Sequence, residues 1–162
     1  VELICIDLEA SGLGPDSYPV EVAWKSAESG AQDSFLINPE SAEGWVFWDE
    51  FAEEMHGIEW STLTKSGIGV RAACERLNTA LFGKDVVCDA LEFDAFWLRR
   101  LFQAGCQPMN FTLKGIESVL SPEQRIQYRL VSRSQYRRHR ALDDVEDQLN
   151  LITWLLEEEA GA

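Results

Sequence analysis

Apolar positions along this 162-residue chain follow two periods. Alternating or continuous apolar runs at residues 2 to 8, 19 to 25 and 32 to 37 predict strands, with Gly12, Gly14, Pro15, Pro19, Gly30 and Pro39 marking turns between them. Three sequential strands with short connections predict an antiparallel meander. The period then lengthens. Val70, Ala73, Leu77, Ala80 and Leu81 predict a helix over 69–82, Asp85-Val86-Val87-Cys88 a short strand, and a second helix follows over about 92–104. A strand after a helix after a strand predicts a parallel crossover. Residues 107–138 read as short helices and loops, and Leu142, Val145, Leu149, Ile152 and Leu156 predict a long amphipathic helix over 141–158. With no repeat, linker or low-complexity tract, the expectation is a single α/β domain over 1–162 with a mixed sheet.

Two acids interrupt the first apolar run. In Leu3-Ile4-Cys5-Ile6-Asp7-Leu8-Glu9-Ala10, Asp7 and Glu9 are two apart, so on a strand they share a face and stand roughly 7 Å apart along it. Like charges side by side in a buried strand repel and resist desolvation unless a cation neutralises them. That points to a divalent metal; an edge strand with both acids in water is the alternative. Asp94 lies in line with Trp97, Leu98 and Leu101, so an acid heads an apolar stripe, although a helix N-terminal Asp is also favoured by the macrodipole. In the last helix Asp144 flanks the apolar arc of Leu142, Val145 and Leu149, whereas Asp143 and Asp147 point farther out. His139 and Asp144 are five apart and diverge on a continuous helix. They serve one site only if His139 is in the loop before it; a solvent-exposed histidine in a basic loop is the alternative.

Composition narrows the class. An apolar content of 46% and a charged content of 26% are those of a globular chain. No apolar run approaches about 18 residues, so a transmembrane helix is not expected. The acidic, strand-like N-terminus does not read as a signal peptide, and a cytoplasmic location is expected. Cys5, Cys74, Cys88 and Cys106 lie far apart without C-x-x-C pairing and read as reduced core residues rather than a zinc or disulfide framework. The formal charge of −14 opposes long-range attraction of nucleic acid, yet it is unevenly spread. Arg125, Arg129, Arg133, Arg137, Arg138 and Arg140 crowd one segment, while residues 40–59 are strongly acidic. If that segment is helical, Arg125, Arg129, Arg133 and Arg137 form a basic stripe beside His139, with Tyr128 and Tyr136 interleaved to stack bases. A solvated face paired with the acidic lobe is the alternative.

Asp7-x-Glu9-x-Ser11-Gly12, then Phe93-Asp94 ahead of Phe96-Trp97-Leu98, then His139-x-Ala141-x-x-Asp144 together resemble the three motifs of the DEDDh 3′-to-5′ exonucleases. That family has a ribonuclease H-like fold and includes the proofreading subunit of the bacterial replicative polymerase, ribonuclease T and oligoribonuclease. The resemblance covers nearly the whole chain. It implies an α/β ribonuclease H-like fold with a mixed five-stranded sheet flanked by helices, in which Asp7, Glu9, Asp94 and Asp144 hold two magnesium or manganese ions and His139 is the general base. It further implies that the backbone and hydroxyl around Ala10 and Ser11 contact the terminal 3′ hydroxyl, that Gly12 beside them binds substrate, and that Leu13 wedges against the last base. Met55-His56-Gly57-Ile58 resembles a loop near the terminal nucleotide, a plain His-Gly turn being the alternative. The chain departs from the pattern at Cys88-Asp89-Ala90-Leu91-Glu92, where relatives often carry a His-Asn pair. Asn110-Phe111-Thr112 stands where many have an acid before Thr or Ser. Both positions bear on substrate preference.

Hydrolysis of a phosphodiester brings an anionic nucleophile to an anionic phosphate. Two cations about 3.5–4 Å apart can bind the attacking and leaving oxygens, with four carboxylates balancing their charge. A neutral imidazole accepts the proton of the attacking water, so activity is expected to rise with pH through roughly 6–7. The expected function is a metal-dependent exonuclease that binds the 3′ ends of single-stranded or short DNA or RNA, with Arg137 on the phosphate backbone, and releases nucleoside 5′-monophosphates. A non-catalytic nucleic-acid or protein-binding module on the same fold is the second reading, and an acid-cluster phosphatase or nucleotide pyrophosphatase the third. Trp45, Phe47, Trp48 and Trp60 stand open as core, as a homodimer face or as a contact with a larger assembly.

Overall fold

The computed structural model describes residues 2–135 and 137–160. Its sheet has five strands in the order β3-β2-β1-β4-β5. β1 (Ile4–Ala10), β2 (Pro19–Ser26) and β3 (Gln32–Leu36) form the expected antiparallel meander, and β4 (Asp85–Cys88) and β5 (Thr112–Gly115) join in parallel on the other side of β1. Among the described residues there are six α-helices: α1 (Glu50–His56), α2 (Trp60–Ser66), α3 (Val70–Leu81), α4 (Leu91–Ala104), α5 (Pro122–Ser134) and α6 (Ala141–Ala160).

The alternation along β1 divides the core. Ile4, Ile6, Leu8 and Ala10 pack in one cluster with Ala73, Leu77 and Leu81 of α3 and Leu98 and Leu101 of α4. Cys5 belongs to the opposite cluster with Val87, Tyr128 of α5, and Val145, Leu149 and Ile152 of α6. Asp7 and Glu9 share the parity of Cys5 and therefore lie on the face covered by α6. β1 ends two residues later than the apolar run suggests, which brings Glu9 inside the strand.

The acidic stretch over 40–59, for which the pattern assigns no element, contains α1. Asp49 caps that helix by accepting the Phe51 N–H, and Gly57 ends it in the left-handed region. Trp45 is core, set edge-on against Tyr18 at 5.0 Å, while Trp48 meets Trp60 at 5.5 Å. Residues 107–138 hold more regular structure than expected. β5 is a mostly exposed edge strand without apolar alternation, and the Ser121–Gln124 capping box starts the thirteen-residue α5. Cys5, Cys74 and Cys88 are buried free thiols, but Cys106 is exposed, contrary to the core reading; it follows the end of α4 with φ 53°. No helix among the described residues is long and apolar enough to cross a membrane.

Gly67 closes α2 where the chain returns toward β3. A Cβ there would lie 2.6 Å from the Asn38 nitrogen and 2.8 Å from the Ile37 carbonyl carbon, and closer still to the Leu63 carbonyl oxygen. Backbone atoms cannot rotate away as a side chain can. Gly67→Ala is expected to cost about 1–3 kcal/mol, seen as a lower urea midpoint; an unchanged midpoint would contradict this packing.

Candidate active site

Between β1 and β4 the sheet changes from antiparallel to parallel pairing, and α4 and α6 approach the carboxyl ends of these strands. In open α/β sheets such a place is a crevice. Asp7 and Glu9 reach it from β1, and a register shift between Glu9 and Ala10 bends the strand end. Asp94 enters from the first turn of α4, only 2% exposed, at the head of the buried Trp97, Leu98 and Leu101. Asp144 enters buried from the first turn of α6, while Asp143 and Asp147 are half-exposed, as the helical arc implies. His139 lies in the loop before α6 in a left-handed conformation, φ 55°. That removes the conflict of a five-residue spacing. Ligand atoms of Glu9, His139 and Asp144 all lie within 4.8 Å of one another.

The acids are poorly compensated. One oxygen of Asp7 accepts from Gln148 Nε2 at 3.3 Å; the other, like Oδ2 of Asp94, is buried without a hydrogen-bond partner. Burial first, then the charges of Asp94, Glu9 and Asp144, hold the Asp7 carboxyl well above the usual range. Burial, followed by the charge of Asp144 and a hydrogen bond shared with it, pushes Glu9 up to about 9. Asp94 is raised to about 7 by burial, against the opposing hydrogen bond from the Cys88 thiol. The Arg137 guanidinium, 3.4 Å from Asp144, partly offsets the charge of this cluster. Hard oxygen donors, two of them orphaned, beside an imidazole fit a divalent cation.

The other expected contact residues form the turn after β1. Ser11 Oγ accepts the Tyr18 N–H at 3.2 Å, and the Ser11 carbonyl accepts the Asp49 N–H at 2.9 Å. Phe47 covers Gly12 so closely that a Cβ would meet its ring at 2.6 Å. Leu13 stands 70% exposed at the tip. His56 is buried: its Nδ1 accepts the Ile58 N–H at 3.0 Å, and Nε2 looks toward the Ala10 backbone without a well-formed hydrogen bond. His56 thus braces the turn from inside the fold.

The expected basic stripe does not extend to Arg137, because α5 ends at Ser134 and Gln135 is extended. Arg129 is tied to Asp89 through its side chain and its carbonyl, with the guanidinium over the Tyr128 ring. Tyr128 is fully buried and so unable to stack bases, and Tyr136 lies outside the described residues. Arg138 binds Asp147 at 3.0 Å, and Arg140 binds Glu21 at 2.7 Å. The partners are therefore acids of β2, α6 and the β4–α4 connection, not those of 40–59.

Pattern reading missed Gln148, Glu21 and Cys88. Gln148 sits one helical turn after Asp144, a spacing that signals a shared face. Glu21 faces Glu9 directly across the hairpin.

No family model matches the chain, and no curated protein matches its sequence. Solved structures of E. coli exonuclease I are similar. A zinc-ion-bound complex with single-stranded DNA has a TM-score of 0.71 at 15% identity, and a complex with a dA16 oligonucleotide has 0.72 at 14%; each match covers 93% of this chain. A ligand-free exonuclease I gives 0.62 over 78% of the chain. The chain has a ribonuclease H-like α/β fold. It spans 39% of the length of the first two structures. In this ribonuclease H-like arrangement the central strand carries Asp7 and Glu9 to the point where α4 and α6 converge.

The raised carboxyl groups have a consequence for stability. Their folded pKa values lie above the unfolded ones, so the native state keeps protons that the unfolded chain releases. Their contribution is whole below the ordinary carboxylate range and is lost as pH rises toward about 7 for Asp94 and about 9 for Glu9. Asp7→Asn should therefore raise the Tm of EDTA-treated protein at pH 8, by about 3 °C for each kcal/mol relieved, and by less at pH 5. A Tm that falls at pH 8 would show that the acids are not in mutual strain.

Proposed function

We propose that residues 1–162 form one nuclease domain, a divalent-metal-dependent 3′-to-5′ exonuclease acting on single-stranded nucleic acid. The observation that carries this reading is the convergence of Asp7, Glu9, Asp94 and Asp144, with buried oxygens lacking partners, beside His139 held in a loop. The similarity to exonuclease I bound to single-stranded DNA supports the polymer class and makes DNA the first substrate to test.

The four acids hold two magnesium or manganese ions, which supply charge stabilisation for the attacking and leaving oxygens when bound. His139 accepts the proton of the attacking water through its imidazole. Leu13, exposed at the tip of its turn, packs against the terminal base, and the Ala10–Gly12 backbone, braced by His56 and Phe47, lies against the 3′ end. Arg137, half-exposed at the rim, meets the scissile or adjoining phosphate.

The test uses 5′-labelled single-stranded DNA and RNA oligomers of one sequence, with manganese, with magnesium and with EDTA. The expected result is a metal-dependent ladder shortening from the 3′ end with release of 5′-mononucleotides, no ladder for Asp7→Ala, and kcat lowered by about 10²–10⁴ for His139→Ala. Intact oligomers in every metal condition would overturn the enzymatic reading, and release of inorganic phosphate alone would replace it with a phosphatase.

A further inference from the structure

Glu21 is not one of the four converging acids, yet it is 4% exposed and stands directly across the hairpin from Glu9. Like charges facing each other on neighbouring strands repel. Strong partners hold it there. Arg140 Nε lies 3.1 Å and 3.2 Å from the two carboxylate oxygens and Nη2 2.7 Å from Oε2, while the Ala141 N–H donates to Oε1 at 2.8 Å. The fork fixes the plane of the guanidinium, which a single contact would leave free to rotate. Ala141 is the first residue of α6, so a strand side chain 120 positions earlier in the sequence supplies an acceptor for one of the N–H groups that have no partner within the helix.

His139 immediately precedes this clamp. Its left-handed backbone, φ 55°, is disfavoured for a residue with a Cβ and persists only where its surroundings enforce it. On its other side Arg138 donates to the Asp143 carbonyl at 3.1 Å and to Asp147 at 3.0 Å. The loop is thus pinned to β2 behind His139 and to α6 in front of it, and the ring lies beside Glu9 and Asp144.

We propose that Glu21 is the positioning residue of His139: by clamping Arg140 and the Ala141 N–H it sets the left-handed turn that aims the imidazole at Glu9 and Asp144. What the aimed imidazole does rests on the nuclease reading above; that Glu21 aims it does not. Glu21 itself touches no reacting group.

The chain has two histidines, so the His139 ring signals in a ¹H–¹⁵N spectrum are identified by their loss in His139→Ala. In folded Glu21→Ala these signals should move and take on the relaxation of a mobile ring. With oligonucleotide substrate, kcat should fall about tenfold or more while KM stays within about twofold, since misplacing a catalytic group by about 1 Å can cost 10²-fold. Glu21→Gln keeps an oxygen for the Ala141 N–H and should fall between. Arg140→Ala, which leaves Glu21 on α6, should shift the same signals and serves if Glu21→Ala does not fold. Unchanged His139 signals in both alanine variants would overturn the proposal whatever the native activity, as would a lower Tm with kcat and signals unaltered. Displaced signals in a native protein without nuclease activity would sustain the positioning and sink the nuclease reading.

Discussion

Asp7, Asp94 and Asp144 are each no more than 5% exposed, and Glu9 joins them at one end of the sheet. Repulsion among buried carboxylates in a low-dielectric setting opposes folding, and the surrounding structure is arranged around that opposition. Apolar packing of β1 against α3 and α4 on one face and of α6 on the other holds the acids together although their charges favour separation. Hydrogen bonds relieve only part of this: Gln148 donates to Asp7, the Cys88 thiol to Asp94 and Arg137 to Asp144, and Glu9 shares one with Asp144, yet one oxygen each of Asp7 and Asp94 is left without a partner. A bound divalent cation would relieve the remaining electrostatic deficit, which would tie the stability of the site to the chemistry proposed for it.

The arginine-rich segment answers the same constraint. A chain of net charge −14 places Arg129, Arg137, Arg138 and Arg140 against Asp89, Asp144, Asp147 and Glu21, all near the acid cluster or the start of α6. The pairs of Arg137, Arg138 and Arg140 tie residues 137–140 to α6 and β2 on either side of His139. A basic segment that on its spacing suggests a phosphate track serves in large part as internal counter-charge, with Arg137 at the rim facing both the acids and solvent.

Much of this was legible in the residues. The period-2 run containing Asp7 and Glu9 implies a shared face, and the face is the one beneath α6. The helical arcs place Asp94 at the head of an apolar stripe and Asp144, not Asp143 or Asp147, toward the interior; burial of each follows that geometry. Short, polar or mostly exposed elements were not legible. β5 lacks alternation because only an edge of it is covered, and α1 carries Phe51 and Met55 outward, so neither has a clean period. Tyr128 looks like a surface aromatic among arginines, but helix α5 turns it into the core under α6.

Local chemistry thus determined β1 to β4, helices α3, α4 and α6 and the identity of the acids, because hydrophobic period and residue type are properties of neighbouring positions. Tertiary structure decided what joins residues far apart in the chain: the pairing of Glu21 with Arg140 and Ala141, the end of α5 before Arg137, the burial of His56 against Ala10, and the backbone sign at His139. Those features depend on which surfaces meet once the sheet closes between its two helical layers. No local period encodes a contact spanning 120 residues.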